Sequence, residues 1–308
     1  MIVVTGATGF LGKRTCKALE SQNIPFVKAS KSLGVDLENL DETIAFFKEA
    51  GASKILNCAS FVGGIQFGMK YPADIFRHNM ALISTLFEAA HQCGIQRIVN
   101  PISNCVYPAR ATLFKEEEIW DGPLHESVMV YGLLRKLSWA GAWAYNKQHG
   151  LETVNLILSN MYGPEDHFEE ERSHALGALV MKFVEAKINN SPEVVIWGTG
   201  TPVREWLYVD DGAEAMVRGL TCTATNQPIN VGVADGISIL ELAEKIKTAV
   251  GYKGKLVLDT SKPDGAAFKT VDGQKGKKLL KWTPEISLNK GIQETVDWYS
   301  NNRHDFTK

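Results

Sequence analysis

Little in this chain ties it to a membrane, a nucleic acid or an oxidising compartment. Its 308 residues contain five cysteines, scattered as Cys16, Cys58, Cys93, Cys105 and Cys222 with no Cys-x-x-Cys pair. A small, odd and dispersed set excludes a disulfide framework and a zinc ribbon and suits a reducing compartment. No apolar run approaches the roughly 20 residues that a bilayer span requires. The first residues run straight into a strand, leaving no room for a signal peptide. A formal net charge of -2 gives no reason to expect nucleic acid or an anionic membrane as partner. Internal repeats and low-complexity linkers are absent too. What remains is a soluble, cytoplasmic protein in which any anion site must be a local arrangement.

With 44% hydrophobic residues, the chain can bury a large core. Short apolar segments alternate with helical ones: strands at Ile2–Val4, Phe26–Ala29, one ending at Asp36-Leu37, then 54–59, 97–102 and 152–157. Helices are expected over 13–22, 41–50, 73–93 and 131–149. Continuous apolar strands between helices specify an α/β fold, a Rossmann-type doubly wound parallel sheet covered on both faces. After about Asn160 the rhythm loosens, and 194–197 and 255–258 read as strands of a smaller α/β lobe. The expected division is a dinucleotide-binding part over 1–160, to which later segments return, and a mainly substrate-binding lobe over 161–308.

Gly6, Gly9 and Gly12 join the first strand to the first helix. Glycines there permit a tight turn and close backbone approach, and the helix N-terminus offers free N–H groups to a pyrophosphate. Folds that use NAD place an acid at the end of the second strand for the ribose hydroxyls. Lys28-Ala29-Ser30-Lys31 has none, and two lysines with a serine suit the 2′-phosphate of NADP. Asp36 lies within reach of an adenine ring, or is simply a turn residue.

Ser103 closes the 97–102 segment, and Tyr131 is followed four residues later by Arg135. A tyrosine, with a reference pKa of about 10, needs a nearby cation to serve as an acid–base group near neutrality. Positions i and i+4 share a helix face, so Arg135 sits beside Tyr131 and supplies that charge permanently. Lys136 lies on another face. Ser, then Tyr-x-x-x-Lys, downstream of a glycine fingerprint is a hydride-transfer constellation, here with arginine in place of lysine.

Together with Gly63-Gly64, Tyr71-Pro72, Asn104-Cys105-Val106-Tyr107-Pro108, Asn160-Met161-Tyr162-Gly163-Pro164, Ser173-His174 and Arg204-Glu205-Trp206, these residues resemble the extended short-chain dehydrogenase/reductases. Within them the closest likeness is to the GDP-L-fucose synthase branch, the GDP-4-keto-6-deoxymannose 3,5-epimerase/4-reductases. The resemblance implies that Cys105 and His174 are the acid–base pair that inverts the carbons flanking a ketone. Either residue alone would read as a packed cysteine or a loop histidine. It further implies that Ser103 and Tyr131 serve the reduction, and that Thr8, Phe10, Leu11, Ala59, Asn79, Arg135 and Asn160 contact NADP beside the glycine loop. Gly63, Gly64, Asn104 and Asn160 would line the sugar, and Lys182 and Arg204 would hold the diphosphate. Trp197 would flank the nucleotide or pack in the core. The implied assembly is a homodimer through a four-helix bundle of the two long helices, with Leu133, Leu134, Leu137, Trp139, Ala140, Trp143 and Ala144 as its apolar surface. Arg135 and the divergent stretch 109–127 set this chain apart, leaving open single-step reductases or epimerases of related 4-keto sugars, heptoses included. A cofactor-sensing binder that has lost turnover is the reading from another class.

Overall fold

The computed structural model describes residues 1–169, 171–262 and 264–306. The elements that build the first layer system are β1 (Ile2–Thr5), α1 (Phe10–Ser21), β2 (Phe26–Ala29), α2 (Leu40–Glu49), β3 (Lys54–Asn57), α3 (Ile65–Lys70), α4 (Pro72–Gln92), β4 (Arg97–Ser103), α5 (Met129–His149) and β5 (Glu152–Leu158). After β6 (Asn160–Tyr162) come α6 (Ala175–Ile188), β7 (Glu193–Trp197), β8 (Val203–Tyr208), α7 (Val209–Arg218), β9 (Pro228–Val231), β10 (Gly236–Ser238), α8 (Ile239–Val250), β11 (Lys255–Asp259), β12 (Phe268–Lys269), α9 (Gln274–Leu280) and α10 (Leu288–Asn302).

Six strands form one parallel sheet in the order β2-β1-β3-β4-β5-β9. Outside the edge strand β2 their side chains are mostly buried, as helices on both faces require. This is the doubly wound Rossmann arrangement that the apolar strands predict. The strand expected at Asp36-Leu37 does not form. Residues Lys31–Leu33 make a short 3₁₀ turn, Gly34 sits at φ +86°, and the Asp36 N–H turns to the Glu42 carboxylate at the start of α2. A left-handed residue breaks the extended run before it can pair. β9 takes the sixth place from far along the chain.

A row of buried amides crosses this sheet. Thr5 donates to Asn57 (2.8 Å), Asn57 to Asn100 (3.2 Å), and Asn100 to both Ser138 on α5 (3.0 Å) and Asn155 (3.2 Å). Each polar group is satisfied by a neighbour one strand away, so register errors would orphan several at once. Asn100, unusual as a core residue, thereby ties α5 to the sheet.

Beyond β5 the chain builds β10-β8-β12 with β6 paired to β8, and a separate β11-β7 pair. Phe183, Tyr162, Trp206, Tyr208, Leu242, Ile246 and Tyr299 pack into a second core there. Glu205 on β8, fully buried, joins the two regions. Its carboxylate accepts the Val271 N–H (3.0 Å), its carbonyl accepts from Asn160 (3.0 Å), and a Cβ on Gly232 would lie 1.9 Å from its Oε1. Among the described residues no helix is long and apolar enough to cross a membrane, and no cluster of three or more His, Cys, Asp or Glu is placed to hold a metal ion.

Candidate active site

In an open α/β sheet, ligands bind beyond the carboxyl ends of the strands where the winding reverses, here between β1 and β3. Gly6 turns the chain out of β1 at φ +61°, and a Cβ there would stand 2.6 Å from the backbone at Cys58 and Ala59. A Cβ on Gly12 would lie 2.0 Å from the Gly6 carbonyl oxygen. The loop is therefore closed tightly against α1, whose first turn carries no acid and whose N-cap, Gly9, offers no side chain to the free N–H groups. Thr8, Phe10 and Leu11 belong to this loop and the start of α1, and Ala59 follows β3. A diphosphate fits this cradle, since the donors are open and the helix dipole has the right sign.

At the end of β2 both lysines have carboxylate partners. Lys28 turns toward α1 and pairs with Glu20 (3.3 Å), while Lys31 pairs with Asp36 (3.2 Å). The groups facing the glycine loop are hydroxyls. Thr8 donates to Ser30 (3.1 Å) and shares a bond with Ser32 (2.8 Å), and the two serines lie 3.1 Å apart. Ser32 carried no sequence signal, since a lone serine in a turn has none.

Ser103 ends β4 and caps the following turn by accepting the Cys105 N–H (3.2 Å). The first turn of α5 is pressed onto this segment, because a Cβ on Gly132 would stand 2.5 Å from the Cys105 carbonyl oxygen. Tyr131 precedes that glycine. Arg135, buried at 4% exposure, lays its guanidinium over the Tyr131 ring, 4.8 Å from its centroid. The guanidinium also donates to Ser60 and to Asn79 (3.1 Å), and its Nε has no partner among the described residues. Asn79 is itself fully engaged, donating to Phe61 and Ile75 carbonyls and accepting from Ser60, the Phe61 N–H and Arg135. It orients Arg135 and the loop after β3. Lys136 points elsewhere, to the Ile119 carbonyl (2.6 Å) under the Trp120 ring.

Cys105 is half-buried. Lys269 on β12 reaches it, Nζ to Sγ 3.7 Å. His174 caps α6 from the facing segment. Burial, with the positive fields of His167 and Lys269, pushes the His174 pKa down to about 4. One lysine thus faces both groups of the candidate acid–base pair. No motif carried Lys269, and only the β8–β12 pairing, Lys269 in register with Arg204, brings it here. Asn104 is buried with its Nδ2 unpartnered among the described residues. Gly64 closes the same side, where its N–H donates to the Arg172 carbonyl (2.9 Å) and any Cβ would meet the Ser173 oxygen at 2.2 Å. A Cβ on Gly63 would stand 2.7 Å from the Phe67 side chain. Asn160 donates to the Glu205 carbonyl (3.0 Å) rather than standing free.

Arg204 is 9% exposed, and its guanidinium donates to the carbonyls of Val203, Ala266 and Ala267. Burial lowers its pKa to about 10, and its charge interacts with Cys105 and Asp264. Trp197 is no core residue. It is 41% exposed, with Lys182 and Lys262 each over its ring at 5.3 and 5.4 Å.

The description "NAD dependent epimerase/dehydratase family" fits the model that matches residues 2–232. The chain belongs to that family. GDP-L-fucose synthase 1 of Arabidopsis thaliana is 34% identical over 302 residues, covering 98% of this chain and 93% of the relative, which sets the chain in the GDP-L-fucose synthase branch. Among solved structures, the GDP-6-OMe-4-keto-L-xylo-heptose reductase of C. jejuni superposes with a TM-score of 0.91 at 25% identity, over 98% of this chain and 97% of that one. A GDP-L-fucose synthetase from Naegleria fowleri bound to NADP gives a TM-score of 0.88 at 27% identity, over 100% and 94%.

Proposed function

We propose that this protein is an NADPH-dependent enzyme that inverts the carbons flanking the ketone of a GDP-linked 4-keto-6-deoxy sugar and reduces the ketone. The observation that carries the reading is Lys269, which contacts Cys105 and acts on His174, beside Ser103 and the first turn of α5 that holds Tyr131. A ketone acidifies its neighbouring C–H bonds. Inversion needs a base on one face of the sugar and an acid on the other, and a thiol and an imidazole can each take and return a proton there. NADPH, when bound, supplies hydride to the ketone carbon. Tyr131 then gives its phenolic proton to the C4 oxygen, Ser103 donates a hydrogen bond to that oxygen, and Arg135 stabilises the phenolate left behind.

The cofactor rests on Gly6, Gly9 and Gly12, with Thr8, Ser30 and Ser32 toward the 2′-phosphate and no acid present to repel it, which favours NADP over NAD. Lys182, Trp197 and Arg204 lie on the substrate side, so the division into a dinucleotide-binding part near 1–160 and a sugar-nucleotide lobe in 161–308 follows the same logic. Leu133, Leu137 and Trp143 are 47%, 47% and 52% exposed on α5, and Phe76 is 54% exposed on α4, whereas Leu134 is buried. That outward apolar face supports a homodimer through a four-helix bundle. Free thiols throughout suit the cytoplasm. The experiment is NADPH and NADH oxidation against a panel of GDP-4-keto sugars, 6-deoxyhexose and heptose. A preference for NADPH with the deoxyhexose supports the proposal, and turnover of the heptose alone, without epimerisation, replaces it with a C4 reductase.

A further inference from the structure

We propose that Lys269 is the counter-charge of Cys105, holding its thiolate as the base of the epimerisation and leaving a cation beside the enolate that follows. The proposal rests on the epimerase reading above. Cys105 is half-buried and has an ammonium in direct contact with its sulfur. Lys269 Nζ lies 3.7 Å from Sγ, and the buried Arg204, its register partner on β8, adds a second positive field. Lys269 and His167 act on His174, and the Asp264 carboxylate acts on Arg204. Reactive cysteines occupy such settings, and inert ones are sealed in apolar surroundings. Burial pushes Cys58 up to about 12 and Cys16 up to about 11, and raises Cys93 and Cys222 as well.

The contact is built rather than incidental. The Phe114 N–H donates to the Thr270 carbonyl (2.8 Å), the Asp272 N–H donates to the Phe114 carbonyl (2.9 Å), and Phe114 bridges to Val271. The chain leaving Cys105 is thus laced to the chain leaving Lys269. Glu205 fixes the Val271 N–H from below (3.0 Å). Among the described residues, Lys269 has no carboxylate partner.

The step is balanced in charge. The thiolate takes the proton from the carbon beside the ketone, so an S–H bond forms and a C–H bond breaks. The electron pair moves into the enolate, whose oxygen now carries the negative charge. The ammonium, which faced the thiolate, then faces that anion, and no unpaired cation is stranded in the cleft. His174, once it has taken a proton from solvent, delivers it to the opposite face, and the Cys105 thiol gives up its proton to solvent, which restores both groups.

The test uses the full-length chain with Lys269→Met, Lys269→Gln and Lys269→Arg. Iodoacetamide labelling of Cys105, read by peptide mass across a pH series, is measured beside deuterium uptake at C3 and C5 of GDP-4-keto-6-deoxymannose in D₂O. The neutral variants should label Cys105 roughly tenfold or more slowly at pH 7, with the profile displaced to higher pH, and slow deuterium uptake by a similar factor. Lys269→Arg should keep most of both, and slow labelling of Cys93 and Cys222 in every variant certifies the fold. Unchanged Cys105 labelling in the neutral variants overturns the proposal. Wild-type protein that takes up no deuterium overturns the epimerase reading instead, while the labelling profile still decides the Lys269–Cys105 pairing.

Discussion

Arg135→Met removes the only cation placed over the Tyr131 ring among the described residues. The guanidinium carbon stands 4.8 Å from the ring centroid. At that separation, with an effective dielectric of about 20, a unit charge stabilises the phenolate by about 3 kcal/mol. A factor of ten in rate corresponds to about 1.4 kcal/mol, so the reduction step should slow by roughly a hundredfold. The fold should survive, because Asn79 still accepts from Ser60 and from the Phe61 N–H, and both of its amide hydrogens keep their carbonyls. The buried Nε, which has no partner, disappears with the substitution. Arg135→Lys keeps the charge while losing the planar fork and should retain activity within about tenfold. The assay is single-turnover NADPH oxidation with GDP-4-keto-6-deoxymannose, alongside melting curves. A folded Arg135→Met protein that oxidises NADPH at the wild-type rate would refute the reasoning and make Arg135 a space-filling residue.

Gly132→Ala gains helix propensity but drives a methyl toward the Cys105 carbonyl oxygen at 2.5 Å. Helicity should be kept while turnover falls about ten- to a hundredfold through displacement of Tyr131; unchanged kcat would show that α5 shifts harmlessly. Burial raises the Glu205 pKa from 4.5 to about 7, so between those values the folded state holds more protons than the unfolded one. Its contribution to stability is complete below about pH 4.5 and is lost as pH rises through about 7, a swing of about 3 kcal/mol. Glu205→Gln, which cannot titrate, should flatten that part of the denaturant-midpoint profile, and a profile parallel to wild type would contradict the assignment. Leu133→Glu with Leu137→Glu should yield monomers in light scattering, whereas a persistent dimer would place the interface elsewhere.

The first layer system was legible because its strands are continuous apolar runs and its glycine loop has a fixed place between strand and helix. The absent strand at Asp36-Leu37 shows the limit of that signal, since two apolar neighbours cannot hold an edge position once Gly34 turns left-handed. Arg135 was visible as an i, i+4 neighbour of Tyr131. Its tether to Ser60 and Asn79 was not, because those partners lie 75 and 56 residues away. Lys269 was invisible for the same reason in stronger form, a single lysine in a loop-rich stretch placed 164 residues from the cysteine it meets. Lys28, read from its place at the end of β2, pairs with Glu20 of α1, a partner that the sequence spacing alone did not reveal. Trp197 had two readings of equal weight in the sequence, and its exposure removes the one that packs it in the core.

The most direct test of the central claim is incubation of the protein with GDP-4-keto-6-deoxymannose and NADPH in D₂O, scoring cofactor oxidation together with deuterium at C3 and C5. The account predicts NADPH consumption with deuterium at both carbons, and its loss from both in Cys105→Ser. NADPH consumption with neither carbon labelled would contradict it, leaving a reductase in which Cys105 and His174 take no part in proton transfer.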